Sequence, residues 1–170
     1  MVARDVNDLA GGGQTASGVS GPITVDGLRG GHSYVFDVTA TNSAGSTTAN
    51  FAFVSCVAPT CVVPVTIPDA TAAPTATRGN KSAEVAFQAP SGNGGEITRY
   101  TVTATDLTNA DAGGQSVSGT TSPITVHGLT NGDEYTFKVT ATNEAGEGPA
   151  SASSNSVTPL AVPDAPSSVE

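Results

Sequence analysis

Hydrophobic and polar residues alternate with a period of two along several short segments of the chain. The longest alternations run over 97–106 and 134–143, where aromatic and aliphatic side chains face one way and threonines mostly face the other. This period is typical of a strand with one buried face. The positions that we predict to face inward in these two segments are Tyr100, Val102, Ala104, Tyr135, Phe137, Val139 and Ala141.

Shorter alternations over 83–87 and 123–126 predict two further strands, and weaker patterns lie near 75–78, 115–118 and 153–158. Glycine and asparagine cluster between these segments, as expected of tight turns. No segment has the period of an α-helix. Seven short strands of this kind predict two antiparallel sheets packed as a sandwich. The remaining residues of the predicted core are Val85, Phe87, Ile124, Val126 and Leu129.

The chain repeats itself with an offset of 101 residues. Residues 12–45 and 113–146 are identical at 21 of 34 positions. The tripeptide Pro-Asp-Ala recurs with an offset of only 95, so the first copy carries six extra residues. The first copy lacks counterparts of 68–101, which we interpret as a window taken from a longer tandem array. The predicted regions are an incomplete domain at 1–66, a complete domain at 67–161, and the start of a further repeat or a tail at 162–170.

Both cysteines of the chain, Cys56 and Cys61, bracket the six extra residues. Pro59 favours a turn between them. An intramolecular disulfide would pinch off the insertion and let the flanking strand continue, and we predict this bridge. Two free thiols and an intermolecular bond are the alternatives. A disulfide would indicate an oxidising, extracellular setting.

Several motifs of the second copy occur together in one known family, and the first copy repeats part of them. They are a proline-rich start at 68–74, the strand pattern of 97–102, a Gly-Leu pair ending at Leu129 with Tyr135 six residues later, and a loop at 143–146; Leu28, Tyr34 and 42–45 match in the first copy. On these motifs the chain resembles tandem fibronectin type III domains of bacterial type, with the first copy truncated at its N-terminus.

The resemblance implies an all-β fold of tandem immunoglobulin-like, fibronectin type III β-sandwiches, with strands C to G in the incomplete domain. It also implies a tyrosine corner in each copy, where the phenol hydroxyl bonds to backbone upstream. The residues of the two corners are Leu28, Tyr34, Leu129 and Tyr135. One position departs from the family pattern, because Phe87 stands where strand B is expected to carry a tryptophan.

Charge excludes some classes of partner. Six basic residues face fifteen acidic ones, which gives a formal net charge of −9 and a pI near 4.4. A basic stripe for phosphate contacts cannot be built from this supply, so we expect no nucleic-acid partner. No apolar run approaches the ~20 residues that span a bilayer, so we expect no membrane insertion. No secretory signal pattern is visible at the N-terminus.

Residues with catalytic or ligating chemistry are few. His32 and His127 do not occupy equivalent positions, no Cys–His spacing suits zinc, and no Ser-His-Asp set can be assembled. The glycine-rich segment 92–95 precedes a strand, so it predicts a turn rather than a phosphate loop. Asp69 and Asp164 lack the dense carboxylate cluster that calcium needs. We therefore expect a protein that is not an enzyme, with no catalytic residue, metal or cofactor.

The function expected on these grounds is structural. The chain would be a spacer segment of an extracellular or surface-attached bacterial protein, possessing rigid sandwiches joined by short proline-containing linkers. Its partners would be other protein chains or repeats, including head-to-tail copies of itself, or a carbohydrate or cell-surface ligand in an adhesive role. One alternative is a subunit of an extracellular filament or virion that assembles by strand exchange. Another is an accessory region of a polysaccharide-degrading enzyme.

Overall fold

The computed structural model describes residues 1–8, 10–49 and 63–161 of the 170-residue chain. The chain divides into two compact units, and each is described by itself. The first comprises Met1–Thr66 with Asn93–Gly95, and the second comprises Ile67–Gly92 with Glu96–Glu170. Apart from one short helical turn, all regular secondary structure in the described part of the chain is β-strand, which confirms the all-β prediction. Its one short helical turn, a 3₁₀ helix at Ala110–Ala112, follows the capping residue Asn109.

The first unit contains a small antiparallel sheet. Its strands are β1 (Val2–Asp5), β2 (Tyr34–Asn42) and β3 (Gly45–Ala49), arranged in that order. The sequence predicted strands C to G in this region, but the described residues form only three strands and one bridge, Val2 to Thr15. Residues 23–26 form no strand, although their counterparts at 124–127 do. A strand needs a hydrogen-bonded neighbour, and the described part of this unit offers none to 23–26.

The second unit contains two antiparallel sheets. The first sheet has the order β4, β5, β8, and the second has the order β10, β9, β6, β7. This arrangement is the two-sheet sandwich that the alternating patterns predicted. The strands are β4 (Thr75–Arg78), β5 (Ser82–Ala86), β6 (Arg99–Asp106), β7 (Ser116–Gly119), β8 (Ile124–His127), β9 (Tyr135–Asn143) and β10 (Gly146–Glu147).

The core of the second unit lies between its two sheets. Of the ten core residues that the sequence predicted in this unit beyond its alanines, nine are buried: Val85, Tyr100, Val102, Ile124, Val126, Leu129, Tyr135, Phe137 and Val139. The tenth, Phe87, is only partly buried and packs its ring against Tyr100, with the ring centroids 4.8 Å apart. An aromatic residue at this position therefore closes one end of the core rather than filling its centre.

The predicted strand at 153–158 is not a regular strand. The segment 148–157 instead bonds to β9 in a three-to-two register, whereas a regular antiparallel ladder pairs residues one to one. Two serine hydroxyls fill the gaps, since Ser151 Oγ and Ser154 Oγ accept the Val139 and Phe137 N–H groups at 3.0 Å. The backbone N–H groups of Gly148, Ser151, Ser154 and Val157 donate, in that order, to the carbonyls of Ala141, Val139, Phe137 and Tyr135.

The two units share one internal register. In the first unit Val2 pairs with Asp37, and in the second Thr103 pairs with Lys138, which are the same positions shifted by 101. The N–H of Ala3 bonds to the carbonyl of Gln14 at 2.8 Å, as the N–H of Ala104 bonds to that of Gln115 at 2.8 Å in the second unit. The sequence repeat therefore corresponds to a repeat of backbone pairing.

Candidate functional site

The first unit has a cluster of apolar side chains that is only partly covered. Met1, Ile23, Val25 and Phe36 line a shallow cavity of about 280 Å³, and all four are only partly buried. Val38 continues the same face of β2 and is 39% exposed. Most of the surface of the four cavity-lining side chains is buried, but each stays more exposed than a residue of a closed core. We call these five residues the open face.

Each residue of the open face has a buried counterpart in the second unit. The offset of 101 places Val102, Ile124, Val126, Phe137 and Val139 at the equivalent positions, and every one of these is at most 6% exposed. The same side-chain positions are therefore fully buried in the second unit and only partly covered in the first. An apolar patch of this kind marks an interaction surface more often than an isolated exposed residue does.

The strand β5 accounts for the difference in burial. In the second unit β5 pairs with β8, so that Val85 lies opposite Ile124 and Ala83 opposite Val126. Val85 and Ala83 are 0% and 1% exposed, because they lie beside the inward residues of β8 and face the sheet that contains β9. In the first unit no hydrogen bond joins the backbone of 23–26 to the described part of the chain. The backbone of this segment therefore has no hydrogen-bond partner among the described residues.

The predicted tyrosine-corner residues lie at equivalent positions in the two units. The Tyr34 hydroxyl accepts the Arg29 N–H at 2.8 Å, and the Tyr135 hydroxyl accepts the Thr130 N–H at 3.1 Å. Both tyrosines are fully buried. Leu129 is buried, whereas Leu28 is only half-buried. Each phenol thus ties the start of its strand to the preceding loop.

A buried carboxylate that sequence reasoning missed closes the end of β1. Asp5 is 1% exposed, and its Oδ1 accepts the N–H groups of Asn7 and Asp8 at 2.9 and 3.1 Å. Its Oδ2 lies 2.7 Å from Nδ1 of His32. Burial by itself would raise the pKa of Asp5, but the hydrogen bonds from His32 and from the two backbone N–H groups outweigh it and lower the pKa below its usual value.

The equivalent carboxylate in the second unit is Asp106. Its Oδ1 accepts the N–H groups of Thr108 and Asn109 at 2.9 and 2.8 Å. The Asn109 N–H contributes most to a lowered pKa of Asp106, against the opposing effect of burial. An aspartate recurring at the offset of 101, at the end of a predicted strand, is the signal that could have identified both residues.

Two further structural groups escaped the sequence reasoning. The side chain of Asn155 bonds to both backbone groups of Ala76, accepting its N–H at 2.9 Å and donating to its carbonyl at 3.0 Å. It thus joins the segment after β10 to β4 of the other sheet. The hydroxyls of Ser151 and Ser154 attach the same segment to β9. In the sequence, these two serines could have been identified by their spacing of three residues after the pair Gly148-Pro149.

The remaining predicted residues do not converge on a site. His32 contacts Asp5, while His127 ends β8 at an exposed position. Among residues 1–8, 10–49 and 63–161, no group of three or more His, Cys, Asp or Glu side chains gathers as a metal would require. Cys56 and Cys61 lie outside the described residues, so their disulfide stays a prediction. No helix in the described part of the chain is long and apolar enough to cross a membrane.

Comparison with known families decides the classification. Residues 71–157, just over half of the chain, match the family model of the fibronectin type III domain. The chain belongs to the fibronectin type III family. The match covers both sheets of the second unit from β4 to the segment after β10, and it confirms the family suggested by the sequence motifs. Among curated protein sequences, none matches the chain.

Solved structures similar to this chain include two from titin and one single domain. Domains A168–A170 of titin match with a TM-score of 0.54 and 19% identity, covering 94% of this chain and 54% of that one. The titin kinase with its flanking domains matches with a TM-score of 0.48 and 21% identity, over 55% of this chain and 17% of that one. The sixth fibronectin type III domain of human fibronectin type III domain containing protein 3 matches with 26% identity and a TM-score of 0.43, covering 60% of this chain and 93% of that one. The chain thus spans less than two thirds of either titin structure, and the A168–A170 likeness supports the fold alone.

Proposed function

We propose that the chain is a non-enzymatic spacer segment made of tandem fibronectin type III repeats. It holds neighbouring modules of a larger protein at a distance and offers loops and sheet faces to other protein chains. Fibronectin type III domains are usually non-catalytic modules of this kind. The proposed setting is an extracellular or surface-attached bacterial protein, for which the predicted Cys56–Cys61 bridge is the supporting feature.

The observation that carries the proposal is the shared backbone register of the two units. Strand pairs, loop-closing hydrogen bonds and tyrosine hydroxyl contacts recur at an offset of 101. Repetition of a whole sandwich is the arrangement that builds length from a single stable element.

Single-molecule force spectroscopy on the full chain tests the spacer role. A spacer has to keep its length under load, so the second unit should unfold in one discrete event. Releasing its roughly 90 residues would add about 300 Å of extended chain. A Phe137→Ala variant should unfold at lower force, because its core contains a cavity. Smooth extension without a discrete event in the unsubstituted protein would refute the spacer proposal.

A second candidate is a subunit of an extracellular filament or virion that assembles by strand exchange. The open face of the first unit is the observation that favours it, because exposed apolar sheet faces and unpaired backbone invite pairing with another chain. Sedimentation velocity over a range of protein concentrations tests it. Head-to-tail assembly predicts species that grow beyond a dimer as the concentration rises. A strictly monomeric chain at all concentrations would eliminate this candidate.

A further inference from the structure

The edge strand β7 of the second unit leaves its outward backbone groups unpaired. The Ala104 N–H donates to the Gln115 carbonyl at 2.8 Å, so the backbone of Gln115, next to the start of β7, faces β6. Successive residues of a strand direct their backbone groups to opposite sides, so Val117 also faces β6, while Ser116 and Ser118 face away from it. No strand lies beyond β7, and no described segment bonds to the backbone of these two serines.

The other edges of the two sheets in the second unit are protected. Beside β4, the side chain of Asn155 occupies both backbone groups of Ala76. Beyond β9 run the two-residue β10 and the irregular segment 148–157, which contains Pro149. The strand β8 starts directly after Pro123. Prolines, irregular backbone and covering side chains stop a sheet edge from pairing with another chain, and the described residues give β7 none of them.

Charge does not protect β7 either. The stretch 112–126 contains no charged side chain. Charged residues, lysine above all, are the usual guard of an exposed edge. Ser116 and Ser118 are exposed, and Val117 is partly buried against the core of the second unit. Two edges of this kind can therefore approach each other with no charge to desolvate and no like charges to repel at the contact.

We infer that β7 pairs with β7 of a second copy of this chain, antiparallel and about a two-fold axis at Val117. This register places Ser116 opposite Ser118 of the second copy, so that every outward N–H of both strands finds a carbonyl acceptor. The two Val117 side chains meet at the axis in a non-hydrogen-bonded pair, with Cα atoms about 4.5 Å apart. Because β7 is the edge that the described part of the second unit leaves free, another β7 is the edge available to pair with it.

The pairing joins the four-stranded sheets of two copies side by side into one continuous sheet. A two-fold contact uses the same edge on both chains, so assembly stops at the dimer. This limit distinguishes the pairing from head-to-tail strand exchange, which extends as the concentration rises. The inference goes beyond the spacer role, because it gives the spacer a lateral partner of its own kind.

Sedimentation equilibrium of the full chain tests this pairing, with a reducing agent present so that Cys56 and Cys61 cannot link two chains. A ladder this short gives a weak dimer, so the measurement extends to about 1 mM protein. The weight-average mass should rise from 16.7 kDa toward twice that value and no further. Over the same range, hydrogen exchange should slow at the Ser116 and Ser118 amides and stay constant at Val117, whose N–H already faces β6.

A matched pair of variants at one position isolates the backbone contact. Ser118→Pro removes an outward N–H, and proline is tolerated where an edge strand directs its N–H to solvent. The dimer should weaken at least about tenfold, because one donor is lost from each copy and the ring lies in the contact. Ser118→Ala keeps the N–H and should change dimerisation less than about twofold. Unchanged amide signals from β6 and β9 in both variants would show that the second unit is still folded.

A cysteine placed at the axis reports the register. In a chain whose Cys56 and Cys61 are replaced by serine, Val117→Cys should form a disulfide between two copies when oxidised glutathione is added. The two cysteines would face each other there at a distance that a disulfide spans. Ser118→Cys should yield no such dimer on a non-reducing gel, because Ser116 of the second copy lies opposite it and the two cysteines are offset along the ladder.

Three results would overturn the inference. The first is a mass that stays at the value of a single chain up to about 1 mM. The second is a dimer that Ser118→Pro leaves as strong as before, since a different surface would then form the contact. The third is growth beyond the dimer, which would favour head-to-tail strand exchange instead. None of these results alters the force measurement that tests the spacer role.

Discussion

Replacing Phe137 with alanine should destabilise the second unit strongly, and the chain contains its own control. Phe137 is fully buried between the two sheets, on the face of β9 shared with Val139. Removing a buried phenylalanine ring costs about 3–5 kcal/mol, from lost transfer free energy and from the cavity left behind. A domain of this size is stable by only ~5–15 kcal/mol, so the variant should lose a large part of its stability.

The control is Phe36, the residue at the equivalent position of β2. It lies on the open face and is only partly buried, and it contacts a cavity that is already present. Phe36→Ala should therefore cost the first unit less than Phe137→Ala costs the second, because part of the Phe36 ring is already exposed. Comparing the same substitution at equivalent positions of the two units thus isolates the effect of the sheet β4, β5, β8, which lies opposite Phe137 in the second unit.

Urea titration followed by NMR provides the assay, because amide signals report on each unit separately. The free energy of unfolding of the second unit is obtained from signals in β6 and β9, and that of the first from signals in β2. A loss below about 1 kcal/mol for Phe137→Ala would refute the core assignment. A loss for Phe36→Ala as large as that for Phe137→Ala would show that the open face is covered in solution.

Three further predictions follow from the sequence and the contacts. Cys56 and Cys61 should form an intramolecular disulfide in oxidising conditions; non-reducing peptide mapping checks this, and two alkylatable thiols in the folded protein would contradict it. The lowered pKa of Asp106 means that its stabilising effect is present above the unfolded value of about 3.9 and is lost as the pH falls through the lower folded value. Urea titrations of the second unit between neutral pH and pH 2 should therefore show a fall in stability that Asp106→Asn reduces, and an unchanged fall would reject this role. Ser154→Ala should cost the second unit about 1–3 kcal/mol, because a buried N–H of β9 loses its acceptor, whereas exposed Ser153→Ala should cost under about 0.5 kcal/mol; equal effects in thermal unfolding would argue against the hydroxyl's contribution.

Much of the fold follows from local pattern alone. The alternation through 135–141 required a strand with one buried face, and β9 has its apolar side chains in the core. The repeat at an offset of 101 predicted equivalent pairing, and the register of β1 with β2 matches that of β6 with β9. These properties are readable because a period of two and a repeated motif depend on neighbouring residues, not on distant ones.

Other properties depend on which segments meet in three dimensions. Residues 23–26 and 124–127 have closely similar sequences, yet only the latter form a strand, because only they have β5 beside them. The three-to-two attachment of the segment after β10 likewise depends on where the serine hydroxyls fall against β9. Asp5 reaches His32 across 27 residues of sequence, a contact that no local pattern signals. A strand's inward face is encoded in its own residues, but whether that face is buried depends on a partner from elsewhere, since backbone hydrogen bonds and apolar contact each need a second surface.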